Sequence, residues 1–186
     1  SLMDLIEEIL DLSKLEANKL DLQEEATPVQ PFFERIFSIF EPQFESQGLY
    51  GQLDISLQSD SLSVLIDRKK TEKIANNFLS NAMKFTPKGG KINFAVKENE
   101  NTIDIVVRDN GKGIHPDDLP YIFDRFYQSD SSHTRHGEGT GIGLALTREL
   151  VKLMEGTISV KSYKRKVIHI QTYVVNIDKV CCICTH

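Results

Sequence analysis

The sequence predicts an α/β fold. Stretches with apolar residues at helical spacing take turns with short runs in which apolar and polar residues alternate, and clusters of Gly, Pro and Ser separate them. At 186 residues the chain is long enough for one good core and a short appendage. No apolar run approaches the length of a membrane span, and no leader pattern is visible. With 40% hydrophobic and 26% charged residues the composition is that of an ordinary globular protein. A net charge of -5 gives no electrostatic case for nucleic-acid binding.

Residues 2–20 place Leu2, Leu5, Ile6, Ile9, Leu12, Leu15 and Leu20 at helical spacing. Such a helix either packs on its own domain or forms half of a bundle or coiled coil. Pro28 and Pro31 close this section. Over 31–47, Phe32, Phe33, Ile36, Phe37, Phe40 and Phe44 make an aromatic stripe that belongs in a core. LDISLQ (53–58) alternates and LSVLID (62–67) is a short apolar run, so both read as strands.

The next helix, from Arg68 to Phe85, has two distinct faces. Ala75, Phe78, Leu79 and Ala82 line one; Asn77, Asn81 and Lys84 line the opposite one. Asn is a poor helix former, so two of them a turn apart need a reason. The row is either a solvated polar face or a site for Mg²⁺ and phosphate. Amide oxygens are hard ligands, and Mg²⁺ takes the rest of its shell from phosphate and water. Lys84 would add a point charge for phosphate. Thr86–Pro87–Lys88–Gly89–Gly90 stops the helix, and KINFAVK (91–97) and TIDIVVRD (102–109) follow as a hairpin through Glu98–Asn101.

Seven of the 11 glycines lie beyond Asp109: Gly111, Gly113, Gly137, Gly139, Gly141, Gly143 and Gly156. Glycine clusters where backbone must turn sharply or approach a ligand. GEGTGIGLAL (137–146) also runs into a helix that extends to about Met154, and a helix start is an anion site. The stretch reads as a phosphate cradle with an acid at its far end. TISVKS (157–162) and the alternating residues 167–175 are further strands. Cys181, Cys182 and Cys184 lie beside His186 in the last residues, where a frayed tail is expected and a four-ligand metal loop is not. No disulfide framework is available, which fits a reducing compartment.

The common phosphate motifs are absent: GxxxxGK[ST], GxGxxG within a βαβ unit, and the HRD and DFG sets. What the chain carries is NNFLSNAMKFTPKGG, DNGKGI, FDRFYQ and GEGTGIGLAL, in that order. These resemble the N, G1, F and G2 boxes of sensor histidine kinases. The catalytic domain of those kinases (HATPase_c, or GHKL) shares a superfamily with gyrase-type ATPases and ninety-kilodalton chaperones. The resemblance covers roughly residues 28–162.

It implies an α/β (α+β) two-layer sandwich, with three helices on one face of a mixed five-stranded sheet and ATP between the N-box helix and the G1–G2 loops. Residues 1–22 would be the end of the second helix of a dimerisation and phosphotransfer hairpin, 28–175 the catalytic domain and 176–186 an atypical, disordered tail. Asn81, with Asn77, resembles the Mg²⁺ ligand, and Lys84 lies beside them. Phe85 would cover adenine. Asp109 would accept the adenine N6 hydrogen bond, while Gly111, Gly113 and Ile114 pass close to the base. Phe123 and Phe126 would anchor a lid, and Arg125 would approach the γ-phosphate. Gly139, Thr140, Gly141, Gly143 and Leu144 would line the phosphates. The polar segment 128–138, with His133, Arg135 and His136, fits the lid and is expected to be poorly ordered without nucleotide.

Hydrolysing members of the superfamily place a Glu general base where this chain has Asn77, and an amide cannot take a proton from water. This favours transfer of the ATP γ-phosphate to a protein histidine over hydrolysis. None of His115, His133, His136, His169 or His186 sits in an acceptor motif. The chain is therefore expected to bind ATP and Mg²⁺ without holding its own catalytic phosphoacceptor. Its partners would be the acceptor hairpin of the same parent kinase and a response-regulator receiver domain. A cytoplasmic setting is expected, with the parent dimeric and open to membrane anchoring. A gyrase- or chaperone-like ATPase and a non-catalytic nucleotide-binding module are the alternatives. The segment YKRKVIHIQTYVVNIDKVCCICTH departs from the family's usual ending, which puts the last strand in question.

Overall fold

The computed structural model describes residues 2–17, 19–128, 140–165 and 168–178. Its elements are helix α1 (Leu2–Glu16), strand β1 (Glu25–Pro28), α2 (Val29–Gln47), β2 (Tyr50–Ser56), β3 (Ser63–Ile66), α3 (Arg68–Phe85), β4 (Lys91–Glu98), β5 (Thr102–Asp109), α4 (Gly143–Leu153), β6 (Thr157–Arg165) and β7 (Ile168–Asp178). A five-stranded sheet has the order β2-β4-β5-β7-β6, and β1 and β3 form a separate two-stranded sheet. The β2–β4 pair is parallel and the others in the large sheet are antiparallel, so the sheet is mixed.

The side-chain period of two decides which face is covered. β4 buries Ile92, Phe94 and Val96, and β5 buries Ile103, Ile105, Val107 and Asp109. Register pairs Ile92 with Asp109, Phe94 with Val107 and Val96 with Ile105, so all lie on one face. That face shares a single core with α2, α3 and α4. On the other face Lys91, Lys97 and Arg108 are exposed. The predicted two-layer arrangement is the one observed.

The aromatic stripe of α2 meets the sheet at Phe94. Phe33 lies edge-on to it at 5.9 Å between centroids and Phe37 is stacked at 6.4 Å. Gly51 on β2 permits this approach, because a Cβ there would lie 2.4 Å from Phe44 Cδ2. Asp67 caps α3. Its Oδ1 accepts from Lys70 N at 3.0 Å, and its Oδ2 accepts from Gln23 N at 2.9 Å and Lys70 Nζ at 2.6 Å. Burial pulls the Asp67 carboxyl upward, but these hydrogen bonds and the Lys70 charge outweigh it and hold the carboxyl below its usual range.

α1 ends at Glu16, earlier than the 2–20 periodicity predicts. It packs on its own chain against α4, with Leu12 in the core and Leu5 and Leu15 beside it. Asp11 Oδ2 pairs with Lys73 Nζ of α3 at 2.5 Å. Leu2, Met3, Ile6, Ile9 and Leu10 stay exposed, so Ile9 falls outside the packed stripe. No helix among the described residues is long and apolar enough to cross a membrane.

A Gly51→Ala substitution drives its methyl into Phe44 and is expected to destabilise the fold by about 1–3 kcal/mol. Urea unfolding followed by circular dichroism measures this; an unchanged midpoint would show that α2 gives way freely.

Candidate nucleotide-binding site

Three segments converge past the C-terminal end of the central strand β5: the polar face of α3, the loop after Asp109, and the start of α4. The buried stripe of α3 turns its amide row away from the core and toward α4. Asn77 Nδ2 donates to Thr147 Oγ1 at 2.8 Å, and Asn81 Nδ2 lies 3.5 Å from Asn77 Oδ1. A Cβ on Gly143 would stand 2.6 Å from Asn77 Oδ1, so the first residue of α4 must be small. Phe85 lies eight residues beyond Asn77, about 12 Å along the helix at 1.5 Å per residue. Its ring has Lys84 Nζ at 5.1 Å and Lys112 Nζ at 4.7 Å from the centroid.

Asp109 is 3% exposed because its position in β5 shares the covered face with Ile92. Oδ1 accepts from Gly111 N at 2.9 Å, whereas Oδ2 is buried with no partner among the described residues. Burial pushes its carboxyl up to about 6, against the opposing Gly111 hydrogen bond. A Cβ on Gly111 would meet Phe85 O at 2.3 Å, so the loop passes directly beneath the end of α3. Gly113 takes φ +69°, and Ile114 N donates to Ser162 Oγ on β6 at 2.9 Å.

At the other end, Thr140 Oγ accepts from Ile142 N at 3.1 Å and donates to Glu8 Oε2 of α1 at 3.1 Å. Gly141 takes φ +68° and its carbonyl accepts from Phe126 N at 2.8 Å. Phe126 therefore holds the α4 approach through its backbone, with φ +61° and a ring that is 67% exposed. Phe123 is tied to α4 by Arg148, whose guanidinium lies 5.9 Å from the ring centroid. Arg125 is exposed on the same turn, and Leu144 packs against the core.

The sequence-derived site residues thus fall into contacting groups: Asn77, Asn81 and Gly143; Phe85, Asp109 and Gly111; Phe126 and Gly141. Gly139, the segment 129–138 and the Cys181–His186 tail lie outside the described residues. Among the described residues no group of three His, Cys, Asp or Glu could hold a metal. Sequence reasoning missed Thr147, Lys112, Ser162 and Glu8. Only Lys112 carried a signal, as the cation inside DNGKGI.

Residues 66–175 match the family described as histidine kinase-, DNA gyrase B-, and HSP90-like ATPase. The chain belongs to this ATP-binding family. Hybrid signal transduction histidine kinase D of Dictyostelium discoideum is 36% identical over 165 residues, covering 86% of this chain and 10% of the relative. Sensor histidine kinase WalK of Bacillus subtilis (strain 168) is 34% identical over 164 residues, covering 87% and 26%. The chain therefore spans a tenth to about a quarter of the length of these relatives. The solved structure of full-length ShkA in complex with AMPPNP has a TM-score of 0.82 at 22% identity, covering 97% of this chain and 37% of that one. At that identity the likeness is one of fold. Both of the sequence relatives are named as histidine kinases, and the chain matches one part of each.

Asp109 also sets a pH dependence of stability. Its pKa is raised from 3.8 to about 6, so between those values the folded carboxyl holds a proton that the unfolded one has released. Its contribution therefore falls as pH rises through this window and is at its lowest above it. Compared with Asp109→Asn, wild-type stability is expected to decline from pH 4 to 7. Parallel urea-unfolding curves for the two proteins across that range would remove this role.

Proposed function

We propose that this domain holds Mg²⁺–ATP and donates its γ-phosphoryl group to a histidine on a helical hairpin of the same parent kinase. The observation that supports this reading is Asp109 Oδ2, a buried acceptor without a donor among the described residues, beside the Phe85–Gly111 contact. The adenine N6 amino group supplies such a donor. Guanine presents a carbonyl there and would set oxygen against oxygen. Gly111, Gly113 and Ile114 border the base and Phe85 covers it.

Backbone N–H groups of Thr140, Gly141, Gly143 and Leu144, at the start of α4, hold the phosphates. Lys84 adds charge, Arg125 approaches the γ-phosphate, and Phe123 and Phe126 anchor the lid segment. The amide row fits a hard divalent ion: Asn81, with Asn77 beside it, would hold Mg²⁺. The ion supplies charge neutralisation on the phosphate oxygens.

In the transfer itself, a nitrogen of the acceptor histidine attacks the γ-phosphorus. A P–N bond forms as the bond to the ADP oxygen breaks. The phosphoryl group then passes to an aspartate on a response-regulator receiver domain. Positioning and charge are this domain's contribution. Asn77 offers no base for water, and its Nδ2 is committed to Thr147. A parent homodimer joined through the hairpin that continues from α1 fits this scheme.

Calorimetric titration should give Mg²⁺–ATP binding that Asp109→Asn weakens at least tenfold, with GTP failing to compete. No binding at millimolar ATP would defeat the proposal. Adding a separately made acceptor hairpin should then yield labelled phosphohistidine. Turnover without any acceptor would favour a gyrase-like ATPase instead, and binding without transfer would leave a nucleotide-binding module.

A further inference from the structure

α1 reaches the phosphate end of the site through one carboxylate. Thr140 Oγ1 donates to Glu8 Oε2 at 3.1 Å and accepts from Ile142 N, at the N-cap of α4, at 3.1 Å. A hydroxyl carries one hydrogen, and here it goes to the carboxylate, which has none to give. The two bonds in series leave a negative charge one hydroxyl away from the amides that open α4. A helix N-terminus favours an anion at that place. Glu8 thus uses the same electrostatics that the site offers to nucleotide phosphates.

The hold on α1 is modest. Leu12 enters the core with Leu5 and Leu15 beside it, while Leu2, Met3, Ile6, Ile9 and Leu10 stay exposed. Lys73 Nζ of α3 lies 2.5 Å from Asp11 Oδ2 and 4.0 Å from Glu7 Oε1. Among the described residues no cation pairs with Glu8, so its charge stands unneutralised beside α4. The chain after α1 is anchored separately. Lys70 Nζ donates to Asp21 O at 2.9 Å, and Gln23 N donates to Asp67 Oδ2 at 2.9 Å. α1 can therefore leave α4 while the chain from Asp21 onward stays in place. An element with so few buried side chains opens at low cost.

We propose that α1 is a brake on the nucleotide site: when docked, it sets the Glu8 carboxylate against the phosphates, so that nucleotide and docked α1 compete. This rests on the Mg²⁺–ATP reading above and adds a regulator to it. Two anions at one helix start repel each other, and salt screens the repulsion. The competition is reciprocal by linkage: bound nucleotide loosens α1 by the factor by which docked α1 weakens nucleotide binding.

The test combines two measurements on the chain. Calorimetry gives Mg²⁺–ATP affinity for wild type, Glu8→Gln and Glu8→Ala at low and high salt. Hydrogen exchange follows the amides of α1 with and without saturating Mg²⁺–ATP. Glu8→Gln keeps an acceptor for Thr140 and removes only the charge. It is expected to bind about threefold to tenfold more tightly than wild type at low salt, a gain that shrinks at about 1 M salt. Glu8→Ala should gain at least as much. In wild type, nucleotide should speed exchange across α1. If Glu8→Gln binds no more tightly than wild type, the proposal is overturned. A loss of affinity in that variant also overturns it, because the carboxylate would then assist the nucleotide. So does α1 exchange that is the same with and without nucleotide. If neither wild type nor Glu8→Gln binds ATP at all, the nucleotide reading itself is refuted instead. Thermal melting checks that the variants are folded.

Discussion

Ile74, Ala75, Phe78, Leu79 and Ala82 have almost no contact with solvent, and their packing sets the rotation of α3 about its own axis. Close-packed interiors resist such rotation because each side chain fills a specific space. Everything at the site follows from that angle. It points Asn77 and Asn81 at α4, and it brings the Phe85 carbonyl over Gly111, where even one methyl group has no room. The Asp67 cap fixes where the helix starts, so both rotation and axial position are determined.

The same packing creates the least comfortable group in the core. Asp109 occupies a position that its strand period assigns to a hydrophobic side chain, opposite Ile92. One of its oxygens goes unpaired among the described residues, and its proton affinity rises accordingly. Nothing in the fold requires a carboxylate there. A buried acceptor held rigid by the sheet is, however, what selective recognition of a donor demands, because leaving such a group unpaired is expensive. Here stability is conceded at the position where the proposed adenine contact would gain specificity.

Much of this was legible in the sequence because it rests on local periodicity. The two faces of α3, the alternation of β4 and β5, and the delivery of Asp109 to a glycine-rich loop all survive in the structure with nearly the predicted boundaries. The alternation at 167–175 likewise corresponds to a real strand, β7, despite its unfamiliar ending. What escaped depends on distant partners. β1 is four residues ending in Pro28 and exists only by pairing with β3, which draws β3 out of the main sheet. Phe126 looks like a buried anchor by residue type, yet the close approach of Gly141 to its backbone leaves the ring outside. Thr147 reads as one more core residue of α4, since no local pattern reveals an amide on another helix.

β7 lies between β5 and β6 and is hydrogen-bonded to both, although it follows both in the chain. During synthesis the sheet therefore waits for one of its inner strands. Until β7 arrives, β2, β4 and β5 form one ribbon with an open edge, and β6 has no partner in the sheet. β6 and β7 are adjacent in sequence and can pair early, but joining them to β5 closes a long loop, which is slow. The Ile114–Ser162 hydrogen bond, 48 residues apart, belongs to the same late event. The rim of the nucleotide cleft is thus completed last, and a nascent chain presents α3 and its amide row well before it has the second wall of the cleft.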